Sequence, residues 1–127
     1  MFSCEVEDDE IDIDPVEKFI GKWKCEEDSE LYGPGYNYDV IIERNPDHST
    51  EVIITNFYMQ GFEETAIALV VGSSLYIEEQ GICDDTIFIE GSGSYNKEKQ
   101  EIKLTYTAND GADIDNVSAR YYNREDL

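Results

Sequence analysis

Short stretches of alternating apolar and polar residues recur from Phe19 onward, and they constrain the fold more than any other feature of the chain. The alternation is clearest in residues 101–107, where Ile102, Leu104 and Tyr106 would share one face of a strand. This pattern favours β-structure, because successive side chains of a strand point to opposite faces. The chain therefore predicts eight strands, at residues 21–26, 36–43, 52–58, 65–71, 75–79, 86–95, 101–107 and 117–122.

Turn-forming residues separate these stretches, and most connections are short enough only for antiparallel neighbours. Eight such strands form either a β-sandwich or a closed up-and-down barrel, and closure removes the exposed edges. Gly91 and Gly93 lie inside a strand pattern, where glycine marks bulges or barrel corners. We therefore predict an all-β, eight-stranded antiparallel barrel with the sandwich as the alternative, a short helical turn at 16–20, and a loop at 28–35 over one mouth.

The chain is strongly acidic, with 30 Asp and Glu against 9 Lys and Arg and a net charge of -21 over 127 residues. This charge excludes electrostatic binding of nucleic acid and of anionic lipid surfaces, both of which need basic patches. Residues 1–17 contain eight acids and no base. Like charges at this density repel one another, so we expect a flexible acidic leader at 1–17 and a barrel domain at 18–127.

The motif Gly21-Lys22-Trp23 begins the first predicted strand, directly after the predicted helical turn. It resembles the Gly-x-Trp motif of the calycins, the superfamily of lipocalins, fatty-acid-binding proteins and avidins. The resemblance implies that Trp23 plugs the closed end of a barrel and that a basic residue of the last strand covers it. Arg120 is the residue that we expect in this role.

A second resemblance extends over nearly the whole predicted domain. It is to a family of small, largely uncharacterised lipocalin-like lipoproteins of Bacteroidetes, and it implies the same fold without any functional residue. The similar stretches are 52–57, 73–77, 91–95, 102–107, 110–111 and 115–119.

The sequence Phe2-Ser3-Cys4, followed by acids, is similar to the end of a lipoprotein signal peptide. Cys4 would then carry the lipid, and the acidic leader would tether the barrel to the outer membrane, on its periplasmic or outer side. We expect contact with the membrane only through this anchor. With Cys4 acylated, Cys25 and Cys83 remain, and they form either a disulfide or two separate thiols.

Tyrosines are the residues that we expect to line a binding cavity, if the barrel holds one. Such a cavity needs aromatic walls and a few polar groups, whereas large inward side chains would instead fill the barrel. The candidate lining residues are Tyr38, Tyr58, Tyr76 and Tyr106.

The loop that contains Asp110, Asp113 and Asp115 offers clustered oxygen ligands and is a candidate calcium site, with a solvated acidic turn as the alternative. Catalysis finds little support, because the single histidine, His48, falls in a predicted exposed turn. We therefore predict a non-enzymatic envelope lipoprotein that binds a small apolar or amphipathic ligand. The alternative is a filled barrel that serves as an interaction or accessory module of an envelope protein complex, with calcium as a stabilising ion.

Overall fold

The computed structural model describes residues 14–126, and these form a closed barrel of eight antiparallel strands. Two short 3₁₀ turns accompany the barrel, one at Glu17–Phe19 ahead of the first strand and one at Phe57–Met59. The strands are β1 Gly21–Ser29, β2 Gly33–Arg44, β3 Glu51–Thr55, β4 Thr65–Val71, β5 Ser74–Ile82, β6 Ile87–Asn96, β7 Glu101–Asn109 and β8 Ile114–Glu125.

Each strand pairs with its neighbours in sequence, and β1 pairs with β8 to close the ring. The predicted barrel is therefore confirmed against the sandwich, and a strand occurs at each of the eight predicted places. The fold is of the lipocalin-like kind. Within residues 14–126 no helix has the length and apolar character needed to cross a membrane.

Alternating burial along the strands separates the barrel interior from its outer wall. In β1 every second residue from Gly21 to Ser29 is buried and the residues between them are exposed. The same alternation in β7 buries the three residues that the sequence placed on one face, Ile102, Leu104 and Tyr106. The core is thus the inside of the barrel, as expected for a small barrel filled largely by side chains.

The two ends of the barrel differ. At the closed end, the 3₁₀ turn at Glu17–Phe19 covers the interior, and both the start of β1 and the end of β8 lie there. The opposite end, called the mouth below, is framed by the four loops that follow β1, β3, β5 and β7. These mouth loops are residues 30–32, 56–64, 83–86 and 110–113.

Trp23 plugs the closed end, and its indole Nε1 donates a hydrogen bond to the Phe19 carbonyl at 2.9 Å. The residue that covers it is Arg124, whose guanidinium lies 5.7 Å from the centre of the Trp23 ring. A Cβ on Gly21 would lie 2.7 Å from Arg124 Cγ, so this close approach requires glycine.

The prediction of Arg120 in this covering role is wrong. Arg120 falls on the outer face of β8, because its neighbours Ala119 and Tyr121 point inward. There it forms ion pairs with Glu26 and Glu101. The β1–β8 register shifts between Lys22 and Lys24, opposite the end of β8, and this irregularity changes which β8 side chains face inward beyond Tyr122. Arg124 lies past that shift.

Two glycines of β6 allow β7 to approach closely. A Cβ on Gly91 would lie 2.3 Å from the Thr105 carbonyl oxygen, and one on Gly93 would lie 2.5 Å from that of Lys103. The neighbouring β5–β6 register shifts between Ile77 and Gln80, next to the pair formed by Ile77 and Gly91. The predicted bend at these glycines thus coincides with a real irregularity of the sheet.

Three predicted boundaries need correction. The domain begins before residue 18, because Val16 is buried in the core and Asp14 forms an ion pair with Arg44. The expected long loop at 28–35 is a tight connection, since β1 runs to Ser29 and β2 starts at Gly33. The third predicted strand ends at Thr55, where Asn56 takes a left-handed backbone conformation. Residues 1–13 of the predicted leader lie outside the described residues.

Candidate functional site

A cavity of about 250 Å³ opens at the mouth of the barrel. We call it the mouth pocket. Its walls are mostly apolar and aromatic, with polar groups at the floor and rim. The lining residues are Glu27, Ser29, Leu31, Tyr32, Tyr36, Tyr58, Met59, Gln60, Ile87, Ala108 and Asp110.

Glu27 forms the polar floor of the mouth pocket and is only 4% exposed. It occupies this position because it continues the inward face of β1 after Trp23 and Cys25. Sequence reasoning did not select Glu27, although the strict alternation of β1 places it on the same face as Trp23. The predicted first strand ends at residue 26, one residue before Glu27, and extending the alternation by one residue would have placed this acidic side chain inside the barrel.

Two tyrosine hydroxyls hold the Glu27 carboxyl in place. Tyr38 Oη and Tyr106 Oη both donate to Glu27 Oε1, at 2.5 and 2.6 Å. Burial raises the pKa of Glu27, and this outweighs the two hydrogen bonds, which lower it. Burial likewise raises the pKa of Tyr38 and of Tyr106, so both hydroxyls keep their protons and remain donors.

Asp115 is a second buried carboxyl close to the mouth pocket. Its Oδ2 accepts hydrogen bonds from Ser29 Oγ at 2.5 Å and from Tyr58 Oη at 2.6 Å, and its Oδ1 accepts one from the Leu31 amide at 3.0 Å. Burial acts to raise the pKa of Asp115, but these hydrogen bonds together lower it. Asp115 is therefore a fixed carboxylate that ties β8 to the β1–β2 loop and to Tyr58.

The structure does not bring the three residues of the candidate calcium site, Asp110, Asp113 and Asp115, together. Asp115 points into the barrel, whereas Asp110 turns back to accept hydrogen bonds from the amides of Ala112 and Asp113. Among residues 14–126 no group of three or more His, Cys, Asp or Glu side chains is placed to hold a metal ion. In this loop, Asp110 therefore stabilises a turn and Asp115 anchors the mouth.

The loop after β3 supplies one wall of the mouth pocket in an uncommon backbone conformation. Tyr58 and Met59 have φ values of 58° and 56°, in the left-handed region that bulky side chains rarely adopt. The hydrogen bond from Tyr58 to Asp115 and the edge contact of its ring with Tyr106, 5.9 Å between centres, hold this conformation. The strain places two large side chains against the cavity.

The four candidate tyrosines divide between the two faces of the barrel. Three of them lie inside the barrel at the mouth: Tyr58 lines the wall of the mouth pocket, and Tyr38 and Tyr106 hold Glu27 at its floor. The prediction for Tyr76 is wrong, because this residue is 45% exposed on the outer wall, opposite Leu69 of β4. Sequence alone left its direction open, since β4 is apolar on both faces.

Cys25 and Cys83 are unpaired, so of the two alternatives left by the sequence the structure has two separate thiols and no disulfide between them. Cys25 points into the barrel from the middle of β1, and burial raises its pKa. Cys83 lies in the loop after β5, with its Sγ 3.6 Å from Gln60 Oε1. Cys4, the predicted lipidation site, lies outside the described residues.

The fold and the mouth pocket together define a lipocalin-like barrel with a carboxyl group at the floor of its mouth. Comparison with known protein families and with curated proteins finds no match for the chain.

Proposed function

We propose that this protein binds a small amphipathic molecule in the mouth pocket, as a binding protein and not as an enzyme. The observation that carries the proposal is the mouth pocket itself, where a buried polar floor at Glu27 meets apolar and aromatic walls. Cavities of this composition are typical of small-molecule sites. Its volume of about 250 Å³ lies below the usual range for drug-sized ligands, so the ligand is compact.

We also propose that the protein is a lipoprotein of the bacterial cell envelope, anchored to the outer membrane through Cys4. The support is the sequence around Cys4 and the resemblance to Bacteroidetes lipoproteins. Mass spectrometry of the native protein tests this part independently of binding. A lipidated amino terminus at Cys4 supports it, and an unmodified chain that retains residues 1–3 contradicts it.

A blocking variant tests ligand binding at the mouth pocket. Ala108 lies on the inward face of β7 and lines the pocket, so Ala108→Phe fills the cavity. Thr105→Phe is the matched control, because it adds the same ring to the exposed face of the same strand. Native mass spectrometry of gently purified protein should reveal a small co-purifying molecule in the wild type and in Thr105→Phe, but not in Ala108→Phe. Equal occupancy in all three proteins contradicts the proposal.

An exposed apolar patch on the outer wall favours the second candidate function, an interaction module of an envelope complex. The patch lies on β4 and β5 and includes Ile67, Val71 and Tyr76, which are 43%, 56% and 45% exposed. Apolar surface of this kind is typical of protein contacts. Tyr76→Glu should release a partner from the native complex in size-exclusion chromatography if this function holds, and an unchanged elution volume argues against it.

A further inference from the structure

The two oxygens of the Glu27 carboxyl group differ in the hydrogen bonds that they accept from residues 14–126. Tyr38 and Tyr106 both donate to Oε1, and no described residue donates to Oε2. Oε2 is not sealed inside the protein, since Tyr121 Oη is the only fully buried side-chain polar atom of residues 14–126 without a partner. This carboxyl oxygen lies at the floor of a pocket, in a residue that is only 4% exposed, and is therefore positioned to accept a hydrogen bond from a ligand that enters the pocket.

Within residues 14–126, no basic side chain balances the charge of the carboxyl groups at this site. Asp115 remains a carboxylate next to the pocket, and its charge adds to burial in raising the pKa of Glu27. No lysine, arginine or histidine of the described chain lines the mouth pocket. The basic residues nearest in sequence, Lys22 and Lys24, lie on the outer wall beside Asp39.

The mouth loops extend this negative field outward. Residues 30–32, 56–64, 83–86 and 110–113 contain seven acidic residues and no Lys, Arg or His. Charge of one sign around an opening attracts counter-ions and repels ligands of the same sign. An anionic ligand is therefore disfavoured at the mouth, and a cation is attracted to it.

The pocket walls suit a cation that carries an apolar body. Tyr32, Tyr36 and Tyr58 provide aromatic rings, and Leu31 and Met59 provide apolar surface. Ring faces attract ammonium groups, and this attraction grows when both partners leave water.

We infer that the mouth pocket selects a small organic amine, whose ammonium group donates a hydrogen bond to Glu27 Oε2 while its apolar body contacts the tyrosine walls. The inference rests on the proposed binding function and names its ligand class. A neutral ligand without a donor would leave Oε2 unpaired, and an anion would meet two carboxyl groups. Where Glu27 holds a proton in the free protein, binding of the ammonium releases that proton to solvent.

Three probes of similar shape and different charge test this inference: 2-phenylethylamine, 2-phenylethanol and phenylacetate. Isothermal titration calorimetry at neutral pH should show the amine binding at least about tenfold more tightly than the alcohol, and no binding of phenylacetate. Glu27→Gln should remove most of this preference, because the amide oxygen still accepts from the tyrosines but the carboxylate that faces the ammonium group is gone. Glu43→Gln is the control, since it removes the same charge from the exposed outer face of β2.

The outcomes separate the ligand class from the binding function. If the amine and the alcohol bind with equal affinity, and Ala108→Phe binds neither, the inference is overturned but the proposed binding function stands. A preference for the amine that is undiminished in Glu27→Gln overturns the role of Glu27. Absence of binding by all three probes also overturns the inference, whereas the proposed function is decided by the co-purified molecule in native mass spectrometry.

Discussion

The two tyrosines that hold Glu27 should depend on each other for their contribution to stability. Each hydroxyl donates to the same oxygen, at 2.5 and 2.6 Å, and a hydrogen bond to a charged group contributes about 1.5–3 kcal/mol. In Tyr38→Phe or Tyr106→Phe the remaining hydroxyl still satisfies Glu27 Oε1. We therefore expect each single variant to lose about 1.5 kcal/mol of unfolding free energy.

The double variant leaves the buried carboxyl without any donor, so its loss should exceed the sum of the single losses by about 1 kcal/mol. Urea denaturation at neutral pH measures this coupling, provided that the slope of the unfolding free energy against urea concentration is the same for all variants. The control is the same set of single and double tyrosine variants in a Glu27→Gln background. There each hydrogen bond to the neutral amide oxygen contributes about 1 kcal/mol to stability, and no buried charge has to be compensated. Additive losses, or equal coupling in both backgrounds, would refute a charged carboxyl shared by two donors.

Three further predictions concern the interior, the sheet and the thiols. The pKa of Glu27 is higher in the folded protein than in the unfolded chain, so the free energy of unfolding should decrease as the pH rises through the raised pKa. Thermal unfolding followed against pH should show a smaller decrease in stability for Glu27→Gln than for the wild type. Gly91→Ala should cost about 3 kcal/mol in urea denaturation, since its methyl group would meet the β7 backbone, whereas Ser92→Ala on the outer face should cost little; equal losses would contradict the close approach. Maleimide should label Cys83 but not Cys25 in the native protein. After unfolding without a reducing agent, both cysteines should be labelled, and a failure to label them would show that they form a disulfide.

Strand number and barrel closure could be read from the sequence because period-2 alternation and short turns are local signals. The prediction failed where register decides the outcome. Arg120 and Arg124 differ by four positions, and a strict alternation assigns both to the outer face of β8. Only the shift in the β1–β8 register between Lys22 and Lys24 brings Arg124 over Trp23. Such a shift depends on how two distant strands meet, and no local pattern encodes it.

The candidate site was predictable only in part, for the same reason. The tyrosines were selected because a binding cavity needs aromatic walls, and three of the four either line the mouth pocket or hold Glu27 at its floor. Glu27 was missed because the predicted first strand ends at residue 26, whereas β1 continues to Ser29 and keeps Glu27 on the same face as Trp23. The three aspartates of one loop were separated by strand direction, since Asp115 already belongs to β8 and faces inward.

The pairing of β1 with β8 also determines how the barrel can be held. The first and last strands meet at Lys22 and Glu125, so the described chain enters and leaves the barrel at the end that Trp23 plugs. A lipid on Cys4 would accordingly be attached to the barrel through its closed end. The mouth would then lie at the opposite end of the barrel from the point of attachment. Membrane attachment and ligand binding would thus take place at opposite ends of one small domain.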